Sequence, residues 1–155
     1  MVRVYFLDSS VLVKRYVAEV GTSWIQRLAD PTSRNQLIIA RITQVEVAGA
    51  LARRERERFL DSDAISQALD TLRYDLDTQY QVVELDPGVA EAAAQLVRVH
   101  PLRAYDAVQL ASAQQVYAVF SQDANAPFTF LTADDRLLSV AESVGLPADN
   151  PNRYP

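Results

Sequence analysis

Four short apolar runs, VRVYFL (2–7), QLIIA (36–40), YQVVEL (80–85) and FTFLT (128–132), are separated by segments whose apolar residues recur at helical spacing. Runs this short and this apolar read as strands buried on both faces, and the intervening segments read as amphipathic helices. The alternation restricts the chain to an α/β fold with a mainly parallel sheet of four or five strands, covered by helices on both faces in three α/β/α layers. The expected helices are SSVLVKRYV (9–17), beginning at a serine cap, TSWIQRLAD (22–30), stopped before Pro31, and TQVEVAGALARRERERF (43–59). They continue with DSDAISQALDTLRYDLDTQ (61–79), PGVAEAAAQLVRVH (87–100), LRAYDAVQLASAQQVYAVF (102–120) and DDRLLSVAESVG (134–145), the last ending at Gly145. No repeat, low-complexity run or shift in composition divides residues 1–155, so a single domain is expected.

Composition narrows the chemistry. The chain has no cysteine and one histidine, His100. This excludes disulfide frameworks, thiolate nucleophiles, cysteine-built zinc sites and multi-histidine metal centres, and it fits a reducing compartment. The apolar N-terminal stretch is broken by Arg3, Asp8, Lys14 and Arg15, unlike a signal peptide, and no segment reaches the roughly 18 uncharged apolar residues of a membrane span. A cytoplasmic protein is expected. A net charge of −5 argues against a general electrostatic binder of nucleic acid.

Ligands of parallel sheets sit beyond the carboxyl ends of the strands, and acids stand there twice. Asp8 closes the first run, where it either caps the next helix or holds a metal ion, with the Ser10 hydroxyl placed to hold a neighbouring water. Asp134 follows the last run. There Thr132 is a candidate cap, Asp135 occupies a variant capping-box position, and Asp134 is preferred for the site because it lies nearer the strand end. Two more acids lie on helices. Glu46 completes a Thr43-x-x-Glu46 capping box or points into a cleft. Asp106 interrupts the apolar stripe Leu102, Leu110, Ala113, Tyr117 and Phe120, where its charge takes Arg103 or a cation as partner, or else the position is a helix end more exposed than the stripe suggests. Together these acids make an oxygen-only set of the kind preferred by Mg²⁺ or Mn²⁺, and a cation would relieve their mutual repulsion.

FLDSSVLVK, TQVEVAGAL, LRAYDAVQLASA and FLTADDRLLSVAESVGL resemble, in order and spacing over almost the whole chain, the four acidic motifs of the PIN-domain family, particularly its VapC-like toxins. The resemblance implies an acidic quartet of Asp8, Glu46, Asp106 and Asp134, with Ser10 and Thr132 as polar helpers. It also implies a Mg²⁺- or Mn²⁺-dependent ribonuclease that leaves 5′-phosphate and 3′-hydroxyl ends, is commonly dimeric, and is held inactive by a small antitoxin.

An acidic protein needs local cations to hold RNA. Arg53, Arg54, Arg56 and Arg58 share one helix, and guanidinium groups grip phosphate in a bidentate manner, although Arg/Glu pairing on a solvated face explains them as well. Arg103, Arg98 and Lys14 are further candidates. Single-stranded or looped RNA is favoured because its exposed bases can be read. Tyr105 is the candidate for base stacking, whereas Tyr5, Phe6, Trp24, Phe128 and Phe130 are expected in the core. The apolar faces of 11–17 and 23–28 serve either an antitoxin groove or ordinary packing.

Two other readings fit less well. A catalytically inactive metal- or protein-binding module would retain the fold without cleaving RNA. An aspartyl-nucleophile phosphatase normally carries a second aspartate two positions on, where this chain has Ser10.

Overall fold

A computed structural model describes all 155 residues. The chain runs β1 (Val4–Leu7), α1 (Ser9–Tyr16), α2 (Thr22–Leu28), β2 (Gln36–Ala40), α3 (Arg41–Arg56), α4 (Ser62–Thr78), β3 (Tyr80–Val83) and α5 (Pro87–Val99). It continues through α6 (Ala104–Phe120), β4 (Phe128–Leu131), α7 (Asp135–Ser143) and β5 (Ala148–Asp149). All five strands are parallel, in the order β3-β2-β1-β4-β5. The chain therefore steps outward from β1 to β3, returns to place β4 on the other side of β1, and steps outward again. The direction of winding reverses between β1 and β4, and such a reversal opens a crevice at the carboxyl ends of the two strands.

Alternate residues of each strand enter opposite cores. Tyr5, Leu7, Leu37 and Ile39 pack with Val11, Leu12, Ile25, Val47, Leu51, Ile65 and Leu72 from the helices between β1 and β3. Val4, Phe6, Ile38, Phe128 and Phe130 pack on the other side with Leu110, Ala113, Leu137 and Ala141. Val89 and Ala93 of α5 close over Ala107 and Ala111 of α6, where small side chains let the helices meet. Phe6 and Phe130 are completely buried with ring centroids 5.9 Å apart. Phe130→Ala should cost about 3 to 5 kcal/mol of unfolding free energy, measurable by urea denaturation; a cost below about 1 kcal/mol would show that this core collapses around the vacancy.

The structure revises several expectations from the sequence. Helix α3 starts at Arg41, straight after β2 and without a side-chain cap, so Thr43 is already inside the helix and the Thr43/Glu46 capping box does not form. Asp8, not a serine, caps α1, and Asp134, not Thr132, caps α7. Helix α3 ends before Arg58, which takes a positive φ of 59° beyond it. The apolar residues of α1 and α2, Val11, Leu12, Val13, Ile25 and Leu28, lie in the core and do not form an open groove. Trp24 is only partly buried, its ring stacked on Tyr154 at 4.5 Å, while the other aromatic residues assigned to the core are buried. The C-terminal turn holding Tyr154 also presses against Gly21, where an added Cβ would lie 2.6 Å from the Pro151 carbonyl oxygen.

Candidate active site

Asp8 lies at the β1–β4 crevice with only 3% of its surface exposed. Its Oδ1 accepts from the Ser10 hydroxyl at 2.6 Å and from the Val11 N–H at 3.1 Å, and its Oδ2 accepts from the Thr132 hydroxyl at 2.8 Å. The carboxylate is thus both a helix cap and a group fixed from two strand ends. Burial raises its pKa to about 6 against the three hydrogen bonds, and the charge of Glu46 adds to the rise. No cation forms an ion pair with it.

Ser10 and Thr132 tie the two strand ends together. Ser10 Oγ accepts from the Ala133 N–H at 2.8 Å, and Thr132 Oγ1 accepts from the Asp134 N–H at 3.1 Å. Ser10 therefore orients the Asp8 carboxylate.

Glu46 reaches the crevice from the second turn of α3. The Ser9 hydroxyl donates to its Oε2 at 3.1 Å and the Gln109 amide to its Oε1 at 2.8 Å, while the same Gln109 nitrogen donates to Thr43 Oγ1 at 2.8 Å. The amide nitrogen must face Glu46, because a carboxylate only accepts. Ser9 and Gln109 were not anticipated as site residues, since their partner stands on a distant part of the chain.

Asp106 is half-buried in the first turn of α6, and Asp134 caps α7 through bonds from the N–H groups of Arg136 at 2.8 Å and Leu137 at 3.3 Å. The Asp106 pKa is raised, first by burial and then by the charge of Asp134, while the charges of Arg103 and Arg136 oppose the rise. Arg103 forms no close ion pair with Asp106, which stands near the helix end and is more exposed than the apolar stripe suggested. The acids are thus coupled as two pairs, Asp8 with Glu46 and Asp106 with Asp134. No group of three or more acids or histidines converges closely enough to hold a metal ion without help.

A groove of about 700 Å³ between α3 and α6 is lined by Glu46 and Asp106, with Arg53, Arg56, Arg103 and Tyr105 around them. Tyr105 is 59% exposed, as a stacking platform requires. Arg54 faces away from this groove and pairs with Glu19.

The sequence profile of the PIN domain matches residues 5–143. The chain belongs to the PIN-domain family. Ribonuclease VapC45 of Mycobacterium tuberculosis (strain CDC 1551 / Oshkosh) is 35% identical over 113 residues, covering 73% of this chain and 76% of that protein. A toxin–antitoxin complex from Klebsiella pneumoniae superposes with a TM-score of 0.63 at 18% identity, covering 95% of this chain and 97% of that one. VapBC2 from Rickettsia felis, crystallised with a DNA fragment from its promoter, gives a TM-score of 0.62 at 14% identity, with 95% and 98% covered. At those identities the two structures support the three-layer PIN fold and nothing finer. Within this PIN domain, the acids singled out in the sequence all lie on elements that border the carboxyl ends of the sheet.

The donor set fits a hard divalent ion. It is built from oxygen alone, and its most buried carboxylate lacks a cationic partner. Paired carboxylates suit an ion such as Mg²⁺, which keeps several of its own waters and takes one or two protein carboxylates together with substrate phosphate.

Proposed function

We propose that the chain is a Mg²⁺- or Mn²⁺-dependent endoribonuclease and the toxin of a toxin–antitoxin pair. The observation that carries this reading is the nearly buried Asp8, without a cationic partner, beside Glu46, which lines a groove together with Asp106, Arg53, Arg56 and Arg103. The 35% identity to a protein named as a VapC ribonuclease supports it.

Asp8 and Asp106 are the principal candidates to hold the ion, with Glu46 and Asp134 completing its surroundings. A divalent ion in such a site lowers the pKa of bound water and neutralises charge on a phosphodiester. The chain's own residues supply the rest. Ser10 and Thr132 fix the direction of the Asp8 lone pairs. Ser9 and Gln109 hold both oxygens of Glu46, keeping it aimed at the crevice. Arg53, Arg56 and Arg103 bind backbone phosphate, and Tyr105 offers a face to an unpaired base, which favours single-stranded or looped RNA. A cognate antitoxin, a homodimer and a cytoplasmic location belong to the same reading. No helix is long and apolar enough to cross a membrane.

The test is cleavage of a labelled structured RNA pool by wild type and Asp106→Asn, each in Mg²⁺, Mn²⁺ or EDTA. Cleavage that needs the metal and falls at least about 100-fold in the variant is expected. Equal activity of both proteins would remove Asp106 from the site. Inactivity of both, after any bound inhibitor has been stripped by unfolding and refolding, would favour a binding module.

A further inference from the structure

Beside the main groove lies a second cavity of about 420 Å³, whose wall includes Ser9, Ser10, Lys14, Glu19, Arg53 and Arg54. Glu46, Ala50 and Arg53 border both spaces, so the two lie side by side along α3 with Glu46 between them. The charges of the second arm are unbalanced. Glu19 Oε2 lies 3.2 Å from Lys14 Nζ, and Glu19 Oε1 pairs with Arg54 Nη2, so one carboxylate serves two cations. Arg53 pairs with no carboxylate.

The donors are also underused. An ammonium carries three N–H groups, and Lys14 spends one of them, on Glu19, although its side chain is only 7% exposed. Arg54 spends one guanidinium nitrogen on Glu19 and another on the Ala50 carbonyl oxygen at 3.2 Å. Glu19 itself is held in place: its N–H donates to Thr22 Oγ1 at 2.9 Å, and the Thr22 hydroxyl donates to the Lys14 carbonyl oxygen at 2.8 Å. A buried lysine and a partly buried arginine thus face a cavity with spare donors, and an internal carboxylate stands where an external anion would bind.

We propose that the cavity walled by Lys14, Arg53 and Arg54 is a second phosphate subsite for the RNA backbone, occupied in the free protein by the carboxylate of Glu19. The subsite rests on the ribonuclease reading for its ligand. It receives a phosphate flanking the one at the acids, so the strand is held on both sides of Glu46. Glu19 sets the threshold, because its charge opposes an incoming phosphate that shares Lys14 and Arg54 with it.

The test is binding of a short fluorescein-labelled single-stranded RNA in EDTA, followed by anisotropy between about 50 and 200 mM salt, where backbone contacts are read from the salt slope. Glu19→Gln should bind roughly 3- to 10-fold more tightly than wild type at the lower salt, because it removes the competing charge. Arg54→Gln should bind more weakly and flatten the slope of log K against log[salt] by about 0.7, the value of one single-strand phosphate. Melting curves identify any variant that is not folded, and the partly exposed Arg54 keeps the test decisive if Glu19→Gln is unstable. Unchanged affinity and slope in folded Arg54→Gln, or no RNA binding by wild type and Glu19→Gln alike, overturns the subsite. Cleavage by the same wild-type preparation in Mn²⁺ is scored separately. Arg54-dependent binding without cleavage keeps the subsite and removes the nuclease. Metal-dependent cleavage with Arg54-independent binding does the reverse.

Discussion

Asp8→Asn is expected to lower metal-dependent RNA cleavage by about a thousandfold, equivalent to some 4 kcal/mol of barrier, while making the metal-free protein more stable above pH 6. The two effects have one origin. The Asp8 pKa rises from 3.8 to about 6 in the folded chain because burial disfavours its charge. Between those values the folded state binds more protons than the unfolded state, so stability falls as pH climbs through that window and stays lower above it. The loss is on the order of 3 kcal/mol. Asparagine carries no charge at any pH and escapes this loss. In EDTA the variant should therefore melt above wild type at pH 8, with the difference shrinking toward pH 4. Millimolar Mn²⁺ should raise the wild-type melting temperature at pH 8 and leave the variant little changed. A variant that melts below wild type at every pH would mean that the bonds from Ser10, Val11 and Thr132 outweigh the burial of the charge.

The second large effect is expected at Gln109, which is 1% exposed on α6. Its Nε2 fixes Glu46 and Thr43, yet its Oε1 is buried without a partner. An unpaired buried acceptor costs about 1 to 3 kcal/mol, which offsets much of what the two donated bonds contribute. Gln109→Leu fills a similar volume and removes that acceptor along with the donors, so the relief of one unpaired group offsets the loss of the bond to the buried Thr43 hydroxyl and the net change in stability should stay within about 2 kcal/mol. Glu46, however, would keep only the Ser9 contact. Loss of a partner that orients a metal-site carboxylate typically lowers metal affinity or activity 10- to 100-fold. The expected signature is a fall in kcat with KM for RNA nearly unchanged, because the arginine groove is intact. A parallel rise in KM, or a collapse of stability, would show Gln109 to be a packing residue.

The parts legible in the sequence share a physical reason. QLIIA and FTFLT are too short and too apolar to be anything but interior strands, and the helix periods between them place β1 to β4 in one parallel sheet. The two-residue β5 has no pattern of its own and forms only because β4 offers an edge. At Asp8 and Asp134 the structure shows the capping role, and capping does not compete with a place in the site, since a carboxylate that caps a helix at a strand end also lies at the crevice. At Glu46 the capping box failed because α3 begins where β2 delivers it, two residues before the threonine. Ser9, Gln109 and Glu19 were hidden because each pairs across 35 to 63 positions of chain, and nothing local marks such pairs. Likewise, the apolar faces of α1 and α2 announced burial without saying against what.

The bond from Thr132 to Asp8 joins residues 124 positions apart. On a ribosome, β1 emerges well before β4, and it lacks one of its two neighbouring strands until β4 follows. Until then Asp8 has neither the hydroxyl that holds its Oδ2 nor the wall that excludes water from it. The surroundings of Asp8 therefore stay incomplete in the growing chain until β4 and Thr132 have been made, a delay set by the order of the strands alone.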